Sequence, residues 1–385
     1  MIIGIPKETF PNERRVALVP AAVPSLVDSG LDVVVEAGAG QSAGFPDGQY
    51  ADRGAGIVQD RKRIFADGDV ILQVRMAGAA GNAATGDLSL VRQEQVVIGL
   101  SEPLVGATAA KDLADRGVIA FSMELMPRIT RAQSMDALSS MATISGYKAI
   151  LLAASHLPRM FPMLMTAAGT VTPARVFVVG AGVAGLQAIA TARRNGAKVQ
   201  AYDVRPAVKE QVESLGASFV ELPLETSTSE DTGGYAKAQD DAFYERQRKM
   251  MAEVVAASDV VVTTALIPGK AAPLLVTSEM ISGMTPGSVV VDLAAERGGN
   301  CEPTEADQIV TTGGVTILGP TNLPATVPYH ASQMYSSNIT TFLLHLIADG
   351  KLTLDLEDEI TQGTLVSRDG KVVNPRVLER LQTEV

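Results

Sequence analysis

The stretch from residue 176 to residue 203, VFVVGAGVAGLQAIATARRNGAKVQAYD, decides the fold of this chain. Its spacing of apolar and polar residues predicts a strand, a helix and a second strand at residues 176–179, 183–194 and 198–202. A strand that enters a helix through a glycine-rich turn is typical of a parallel sheet covered by helices. The stretch therefore predicts a doubly wound α/β domain in the middle of the chain.

Three glycines, Gly180, Gly182 and Gly185, stand between the first strand and the helix in GxGxxG spacing. Glycines in this spacing allow a tight turn, a close backbone approach to a pyrophosphate, and tight packing of helix on strand. The helix beginning at Val183 and Ala184 then offers free amide groups and its positive dipole end to phosphates. The motif predicts that the chain binds a dinucleotide.

An acid, Asp203, follows the second strand directly. A carboxylate at this place accepts hydrogen bonds from the ribose hydroxyls and repels a 2′-phosphate. A GxGxxG motif alone is a weak signal, because an unrelated glycine-rich turn gives the same letters. Since the strand, the helix and the acid all stand in place, the sequence predicts binding of NAD rather than NADP.

The composition is that of a well-buried globular protein of 385 residues, 46% of them hydrophobic and 19% charged. A chain of this length predicts roughly two to three domains. The formal net charge of −11 argues against binding of nucleic acid. The single cysteine, Cys301, excludes an intramolecular disulfide and indicates a reducing compartment.

The sequence predicts neither a metal site nor a membrane span. Three histidines, His156, His330 and His345, stand on apolar helical segments, so we interpret them as packing residues rather than metal ligands. The N-terminus MIIGIPKETF enters a strand directly and lacks the pattern of a signal peptide. The uncharged stretches are interrupted by Gly, Pro and polar residues, so we expect a soluble chain.

A second alternation of strands and helices precedes the glycine motif and contains no GxGxxG of its own. We therefore expect two Rossmann-like, doubly wound parallel-sheet α/β domains joined by long helices, with an NAD cleft between them. The predicted domains are residues 1–134 with 330–385, and residues 135–329. The tail SRDGKVV predicts a small hairpin.

Two polar loops leave their roles open at this point. Arg128, Gln133 and Asp136 lie where the chain leaves the first α/β unit, and form either a solvated loop with a helix cap or part of a cofactor site. The loop LPLETSTSEDTGGYAKAQ, with Gly234 and Tyr235, is longer than most connections in a compact domain. It is either a binding lid or a surface excursion.

Over essentially its full length the chain resembles the NAD(H)-binding component, domain I, of proton-translocating NAD(P) transhydrogenase. The segments that carry the resemblance include GIPKET, NERRVALVP, MELMPRITRAQSMDALSS, GYKA, FPMLMTAAGT, GGYAK, TTALIPGK, PGSVVVDLAAERGGN and GPTN. Two segments, IGLSEPLVG and ELPLETSTSEDTGG, depart from the pattern of several relatives. The alanine dehydrogenases share the fold and several of these segments, so they are the rival family.

The resemblance implies which residues hold NAD(H). The loop PRITRAQSMD would lie over the nicotinamide, with Arg128, Gln133 and Asp136 as the residues at the hydride site. The loop around Gly234 and Tyr235 would be the mobile loop that closes over the nucleotide. Further contacts with the cofactor are implied for Ile129, Ser134, Met135, Ser139, Gly180, Gly182, Val183, Ala184, Gly185, Asp203, Val204, Arg205, Gln247 and Leu266.

The resemblance also implies an assembly. The chain would form a homodimer and would dock with a component that binds NADP(H), so that hydride passes directly between the two nicotinamides. Separate membrane-spanning proton-channel subunits would couple that transfer to proton translocation. The chain itself would be cytoplasmic and peripheral on the inner membrane, held there through these partner subunits.

The rival interpretation is an alanine dehydrogenase-like enzyme acting on an amino acid. That family's substrate set is an arginine, a lysine and a histidine, and by resemblance Arg15, Arg75 and Leu100 stand at these positions. Asp292 occurs in both families and does not discriminate between them. Oxidation of an amino acid moves a proton as well as a hydride, so it needs an acid or base that Leu100 does not supply. A protein that only senses NAD is a third hypothesis, with no sequence feature in its favour.

Overall fold

The structure is a computed structural model, and it describes residues 1–221, 240–267 and 269–383. The chain divides into two compact units, Met1–Met141 with Pro324–Val385, and Ala142–Leu323. The exact domain limits expected from the sequence stay a prediction. The predicted lid residues Gly234 and Tyr235 lie outside the described residues.

An eight-stranded sheet forms the centre of the first unit, in the order β19-β18-β6-β5-β4-β1-β2-β3. Its strands are β1 (Ile2–Ile5), β2 (Asp32–Glu36), β3 (Gly56–Val58), β4 (Val70–Arg75), β5 (Val96–Leu100), β6 (Ile119–Ser122), β18 (Leu365–Arg368) and β19 (Lys371–Val372). The six N-terminal strands pair in parallel, and the two C-terminal strands add in antiparallel orientation. The C-terminal segment thus completes this unit.

Short helices lie between the strands of the first unit and after the last of them, and two longer helices lie near the limits of the unit. The short ones are α1 (Val23–Asp28), α2 (Asp47–Ala51), α3 (Arg61–Asp67), α4 (Thr85–Leu88), α5 (Ala107–Asp115), α12 (Glu359–Thr364) and α13 (Pro375–Thr383). The long ones are α6 (Ala137–His156), which continues into the second unit, and α11 (Pro328–His345). Strands β16 (Ile347–Ala348) and β17 (Lys351–Leu352) form a small hairpin after α11.

A seven-stranded sheet forms the centre of the second unit, in the order β11-β10-β9-β12-β13-β15-β14. Its strands are β9 (Arg175–Val179), β10 (Lys198–Tyr202), β11 (Ser218–Phe219), β12 (Val260–Thr263), β13 (Val289–Asp292), β14 (Ile309–Thr312) and β15 (Val315–Leu318). All pairs are parallel except β14 with β15. This confirms the Rossmann-like parallel sheet that the glycine motif predicts.

Helices cover both faces of that sheet. Successive side chains of a strand point to opposite sides, and in β9 apolar side chains point both ways. Val176 and Val178 enter one buried cluster, and Phe177 and Val179 enter another. The helices are α7 (Val183–Arg194), α8 (Lys209–Ser214), α9 (Asp241–Ala256) and α10 (Ser278–Ser282). A separate hairpin, β7 (Leu164–Thr166) with β8 (Gly169–Val171), precedes β9.

The predicted hairpin in the tail is confirmed. Ser367 pairs with Val372 and Arg368 with Lys371 around a two-residue turn. The turn residues, Asp369 and Gly370, have φ of 51° and 73°. A two-residue hairpin turn of this hand requires positive φ at both positions, which Asp-Gly tolerates well.

The histidines are not packing residues, so that prediction was wrong. His156, His330 and His345 are all exposed. Apolar neighbours in the sequence misled the prediction, because His156 and His345 are the last residues of α6 and α11. His345 lies 2.9 Å from the Asp358 carboxylate, and its side chain is 25% exposed.

Within the described residues, one helix, α6, has the length and apolar composition to cross a membrane. In its most apolar stretch of 18 residues, 39% is buried inside the protein. A single such helix is weak evidence for a membrane span. The core helices of soluble proteins pass the same criterion.

Candidate functional site

The glycine turn after β9 has the geometry that its spacing predicts. Gly180 has φ of +99°, and a Cβ there would lie 2.5 Å from the Thr264 hydroxyl. A Cβ on Gly185 would lie 1.9 Å from the Gly180 carbonyl oxygen. The first glycine is therefore required by backbone conformation, and the third by the close packing of α7 on β9.

Gly182 differs from the other two glycines because no atom of the described residues fills the space beside it. The nearest atom to an added Cβ is a guanidinium nitrogen of Arg205 at 4.0 Å, and its φ of −75° suits any residue. Gly182 is also the N-cap of α7, and no described side chain caps the helix. The start of α7 thus combines an uncapped first turn with clear space beside Gly182, which is the arrangement that a phosphate needs.

Helix α6 packs closely against the first turn of α7. A Cβ on Gly146, in the middle of α6, would lie 2.0 Å from the Ala184 carbonyl oxygen. Gly146 therefore lets α6 pack backbone to backbone on the turn that carries Val183 and Ala184. Nothing local in the sequence reveals this contact between distant helices.

Asp203, at the end of β10, holds the glycine turn and a neighbouring arginine together. Its Oδ2 accepts a hydrogen bond from the Ala181 N–H at 2.7 Å, and its Oδ1 accepts one from the Arg205 N–H at 2.9 Å. The Arg205 guanidinium adds two bonds of 2.9 Å, one to each oxygen. The carboxylate is 5% exposed, so it lies fixed at the tip of β10 beside the glycines.

The loop after β12 carries Leu266, which is 44% exposed. The Asn300 side chain accepts from the Ala265 N–H and donates to the Ala265 carbonyl, both at 2.9 Å. The N–H of Asn300 in turn donates to the fully buried Asp292 carboxylate at 2.7 Å. Asp292 thus serves as a structural acceptor that holds the Leu266 loop.

In the first unit, the loop before α6 exposes the polar residues that the sequence selects. Arg128, Gln133 and Ser134 are exposed, whereas Ala132 and Met135 are buried beneath them. Residues Thr130–Met135 form a 3-10 turn that sets this alternation. The loop therefore has a buried apolar side that anchors it and an open polar side.

Asp136 caps α6 whatever else it contacts. Its Oδ1 accepts from the Ser139 N–H at 2.9 Å, and its Oδ2 accepts from the Ser139 hydroxyl at 2.5 Å. An aspartate in this position satisfies an amide of the first helical turn. The helix-cap interpretation is thus correct for Asp136, and it also fixes where the loop meets the helix.

Arg131, in the same loop, forms an ion pair with Asp358. Its guanidinium donates to Asp358 Oδ1 at 2.8 Å. Asp358 is the N-cap of α12, and His345 lies against its other oxygen. These donors hold the pKa of the Asp358 carboxyl well below its usual value, although burial opposes them.

A buried cluster of charges lies elsewhere in the first unit. Arg15 donates through Nε and Nη2 to Glu13 at 2.7 and 2.6 Å, and Arg75 Nε lies 3.5 Å from the same carboxylate. Burial raises the pKa of the neighbouring Glu8 carboxyl to about 8. Leu100 pairs with Arg75 across β4 and β5, so the position of the rival family's histidine carries no titratable group here. Sequence reasoning found both arginines and missed Glu13.

The described nucleotide-binding candidates fall into one group in each unit. The first unit exposes the loop that carries Arg128, Ile129, Gln133, Ser134, Met135, Asp136 and Ser139. The second unit gathers, at the carboxyl ends of β9, β10 and β12, the residues Gly180, Gly182, Val183, Ala184, Gly185, Asp203, Val204, Arg205 and Leu266. Gln247, on α9, is buried beside the Tyr202 ring rather than exposed.

Comparison with known proteins places the whole chain in one family. Residues 4–145 match the model of the N-terminal domain of alanine dehydrogenase/PNT, and residues 149–375 match the model of its C-terminal domain. An NAD(P) transhydrogenase alpha-subunit chain of Rhodospirillum rubrum is 46% identical over 378 residues, covering 97% of this chain and 98% of that protein.

Further relatives separate the two branches of the family. A solved transhydrogenase structure from Sinorhizobium meliloti is 45% identical with a TM-score of 0.83, covering 97% of this chain and 99% of that chain. The alanine dehydrogenase of Halomonas elongata is 29% identical over 398 residues, covering 100% of this chain and 98% of that protein. The chain therefore belongs to the alanine dehydrogenase/PNT family, and within it to the NAD(P) transhydrogenase alpha subunits.

Proposed function

We propose that this chain binds NAD(H) and exchanges hydride directly with NADP(H) held on a separate component. A hydride leaves C4 of NADH, which becomes NAD⁺, and adds to C4 of NADP⁺, which becomes NADPH. The glycine turn and α7 bind the pyrophosphate, and Asp203 binds the adenosine ribose. Arg128, Gln133 and Asp136 orient the nicotinamide end.

The uncapped start of α7 is the observation that most strongly supports the proposed nucleotide site. Among the described residues, Gly182 leaves clear space in front of amide groups that no side chain caps, while Asp203 lies fixed at the neighbouring strand tip. Both features lie at the carboxyl edge of a parallel sheet, where ligands of this fold class bind. The fold itself does not require a glycine at 182, since an added Cβ there meets no described atom closer than 4.0 Å.

The chemistry of the exposed loop fits hydride transfer between two nicotinamides. Such a transfer moves no proton, so positioning of the two C4 atoms supplies most of the catalysis. Gln133 and Arg128 are polar groups that can orient a carboxamide and a phosphate, and neither needs to act as an acid or base. Leu100 stands where an amino-acid dehydrogenase would need its proton carrier.

The proposal includes the assembly that the resemblance to the NAD(H)-binding component of transhydrogenase implies. The chain acts as a homodimer, docks with the NADP(H)-binding component, and is coupled to proton translocation by membrane-spanning subunits at the cytoplasmic face. The test is to mix the purified chain with a transhydrogenase NADP(H)-binding component and follow NADPH formation from NADH. Turnover only when both components are present supports the proposal, and NAD-dependent oxidation of alanine by this chain alone would establish the rival activity.

Replacing Gly182 with alanine should weaken NADH binding without destabilising the fold. An added Cβ meets no described atom closer than 4.0 Å, and the backbone conformation suits alanine, so thermal stability should be unchanged. The methyl group would instead occupy the space that the pyrophosphate needs. Fluorescence titration should show at least a tenfold rise in the Kd for NADH. An unaltered Kd would show that the pyrophosphate does not bind at this turn.

Replacing Asp203 with serine should weaken NADH binding by about 1.5–3 kcal/mol, the contribution of a charged hydrogen bond. The variant also frees Arg205 from its carboxylate partner, so binding of NADPH should strengthen. Asp259→Ser is the matched control, because Asp259 is a buried aspartate that pairs with Arg159 at the start of β12, at the opposite edge of the sheet. Equal NADH affinity in the two serine variants would show that the ribose binds elsewhere.

A further inference from the structure

A buried amide on α11 holds the backbone of the loop that carries Gln133. Asn338 is 7% exposed, and its Nδ2 donates to the Ser134 carbonyl oxygen at 2.8 Å. Both residues belong to the first unit, although they lie 204 positions apart in the sequence. Ser134 directly follows Gln133, so this bond fixes a peptide group one residue away from it.

The orientation of the Asn338 amide follows from what it faces. A carbonyl oxygen can only accept, so the NH₂ group of the amide must point at Ser134. Within the described part of the chain, no donor reaches the amide's Oδ1, although that atom is buried. A buried acceptor without a donor costs stability, and an apolar residue of the same size would avoid that cost. The unpaired oxygen therefore offsets what the bond to Ser134 contributes to fold stability.

Two kinds of side-chain contact restrain the backbone of the loop less closely than the Asn338 bond does. Arg131 pairs with Asp358, but its side chain is 61% exposed, and exposed ion pairs hold their partners weakly. Ala132 and Met135 are buried, and apolar packing restrains the loop's depth rather than the rotation of its peptides. The Asn338 bond is directional and its donor is buried, so it adds to the 3-10 turn a restraint on how the loop presents its polar side.

We propose that Asn338 is a positioning residue for hydride transfer, acting through the Ser134 carbonyl on the placement of Gln133. This rests on the proposed function, in which Gln133 orients the nicotinamide. Asn338 need not touch the nucleotide, because its amide is engaged with the loop backbone. Misplacement of the reacting atoms by about 1 Å can cost on the order of a hundredfold in rate. Loss of a single tether should therefore slow the transfer clearly.

The first test is Asn338→Leu, which removes the donor and the unpaired oxygen and keeps the side-chain size. Hydride transfer to the NADP(H)-binding component should slow about tenfold or more, and the Kd for NADH should stay within about twofold. The melting temperature should change little, because loss of the bond to Ser134 and removal of the unpaired oxygen offset each other. Thr340→Val is the matched control on the same helix, because Thr340 is equally buried and no described residue bonds its hydroxyl. It should leave the transfer rate unchanged.

A double-mutant cycle with Gln133→Asn separates positioning from general damage. If Asn338 acts through Gln133, then Asn338→Leu should cause little further loss once Gln133 is shortened, whereas independent effects would multiply. Multiplying effects, or a raised NADH Kd with an unchanged transfer rate, would overturn the positioning role. A Gln133→Asn variant that transfers at the wild-type rate would instead overturn the proposed function. If the leucine variant does not fold, the same measurements are made on Asn338→Asp. That substitution places an oxygen opposite the Ser134 carbonyl and so removes the donor.

Discussion

Shortening Gln133 to asparagine should slow hydride transfer to partner-bound NADP⁺ by on the order of a hundredfold, with the affinity for NADH nearly unchanged. The side chain is exposed on the open side of the loop, so the fold does not depend on it. The proposed contacts of the adenosine and pyrophosphate lie on the glycine turn and Asp203, which the substitution leaves intact. Single-turnover kinetics with the NADP(H)-binding component, together with an NADH titration, measure both quantities.

The matched control for Gln133→Asn is Gln49→Asn. It makes the same shortening at an exposed position of α2, within the same unit, so it should alter neither the transfer rate nor the NADH affinity. If the Gln133 variant behaves like this control, the loop does not orient the nicotinamide.

Replacing Gly146 with alanine should damage nucleotide binding from a distance. The new Cβ would lie 2.0 Å from the Ala184 carbonyl oxygen, a backbone atom that cannot rotate away. The first turn of α7 must therefore move, and overpacking of this kind costs typically about 1–3 kcal/mol of stability. The amide groups that face the pyrophosphate move with the turn. We expect a lower melting temperature and a Kd for NADH raised at least tenfold.

Gly48→Ala is the control for the Gly146 substitution. Gly48 also lies in a helix, but an added Cβ meets no described atom within 4 Å. Alanine there should leave NADH binding unchanged and stabilise the helix slightly, by about 0.5–1 kcal/mol. A Gly146 variant that melts and binds NADH as the wild type does would contradict the packing of α6 on α7.

The sequence predicts the second unit well because its signals are local. The helix Val183–Arg194 and the strand Lys198–Tyr202 form with the predicted limits, since glycine spacing, apolar runs and the acid at 203 all act over short distances. The strand Ser218–Phe219 lies at the edge of the sheet, beside β10. The helix Lys209–Ser214 is preceded by a 3-10 turn at Pro206–Val208, because proline suits a first turn.

What the sequence could not show are contacts between distant residues. Gly146 meets Ala184, and Asn338 meets Ser134, through packing that no motif encodes. The antiparallel strand Ile309–Thr312 is hard to predict for a similar reason, since its hydrogen bonds to β15 decide it. Asp203 was predicted to bind a ribose, and the structure adds its bonds to Ala181 and Arg205, which pattern reasoning alone had no way to supply.

The most direct test of hydride transfer between two nicotinamides uses NADH that carries deuterium at both C4 positions. The chain and the NADP(H)-binding component are mixed with this NADH and NADP⁺ in ordinary water, and the products are examined by mass spectrometry. Direct transfer predicts that each NADPH formed carries one deuterium at C4, with none released to the solvent. NADPH without deuterium, or label recovered in water, would contradict direct transfer and require a group on the protein that exchanges protons.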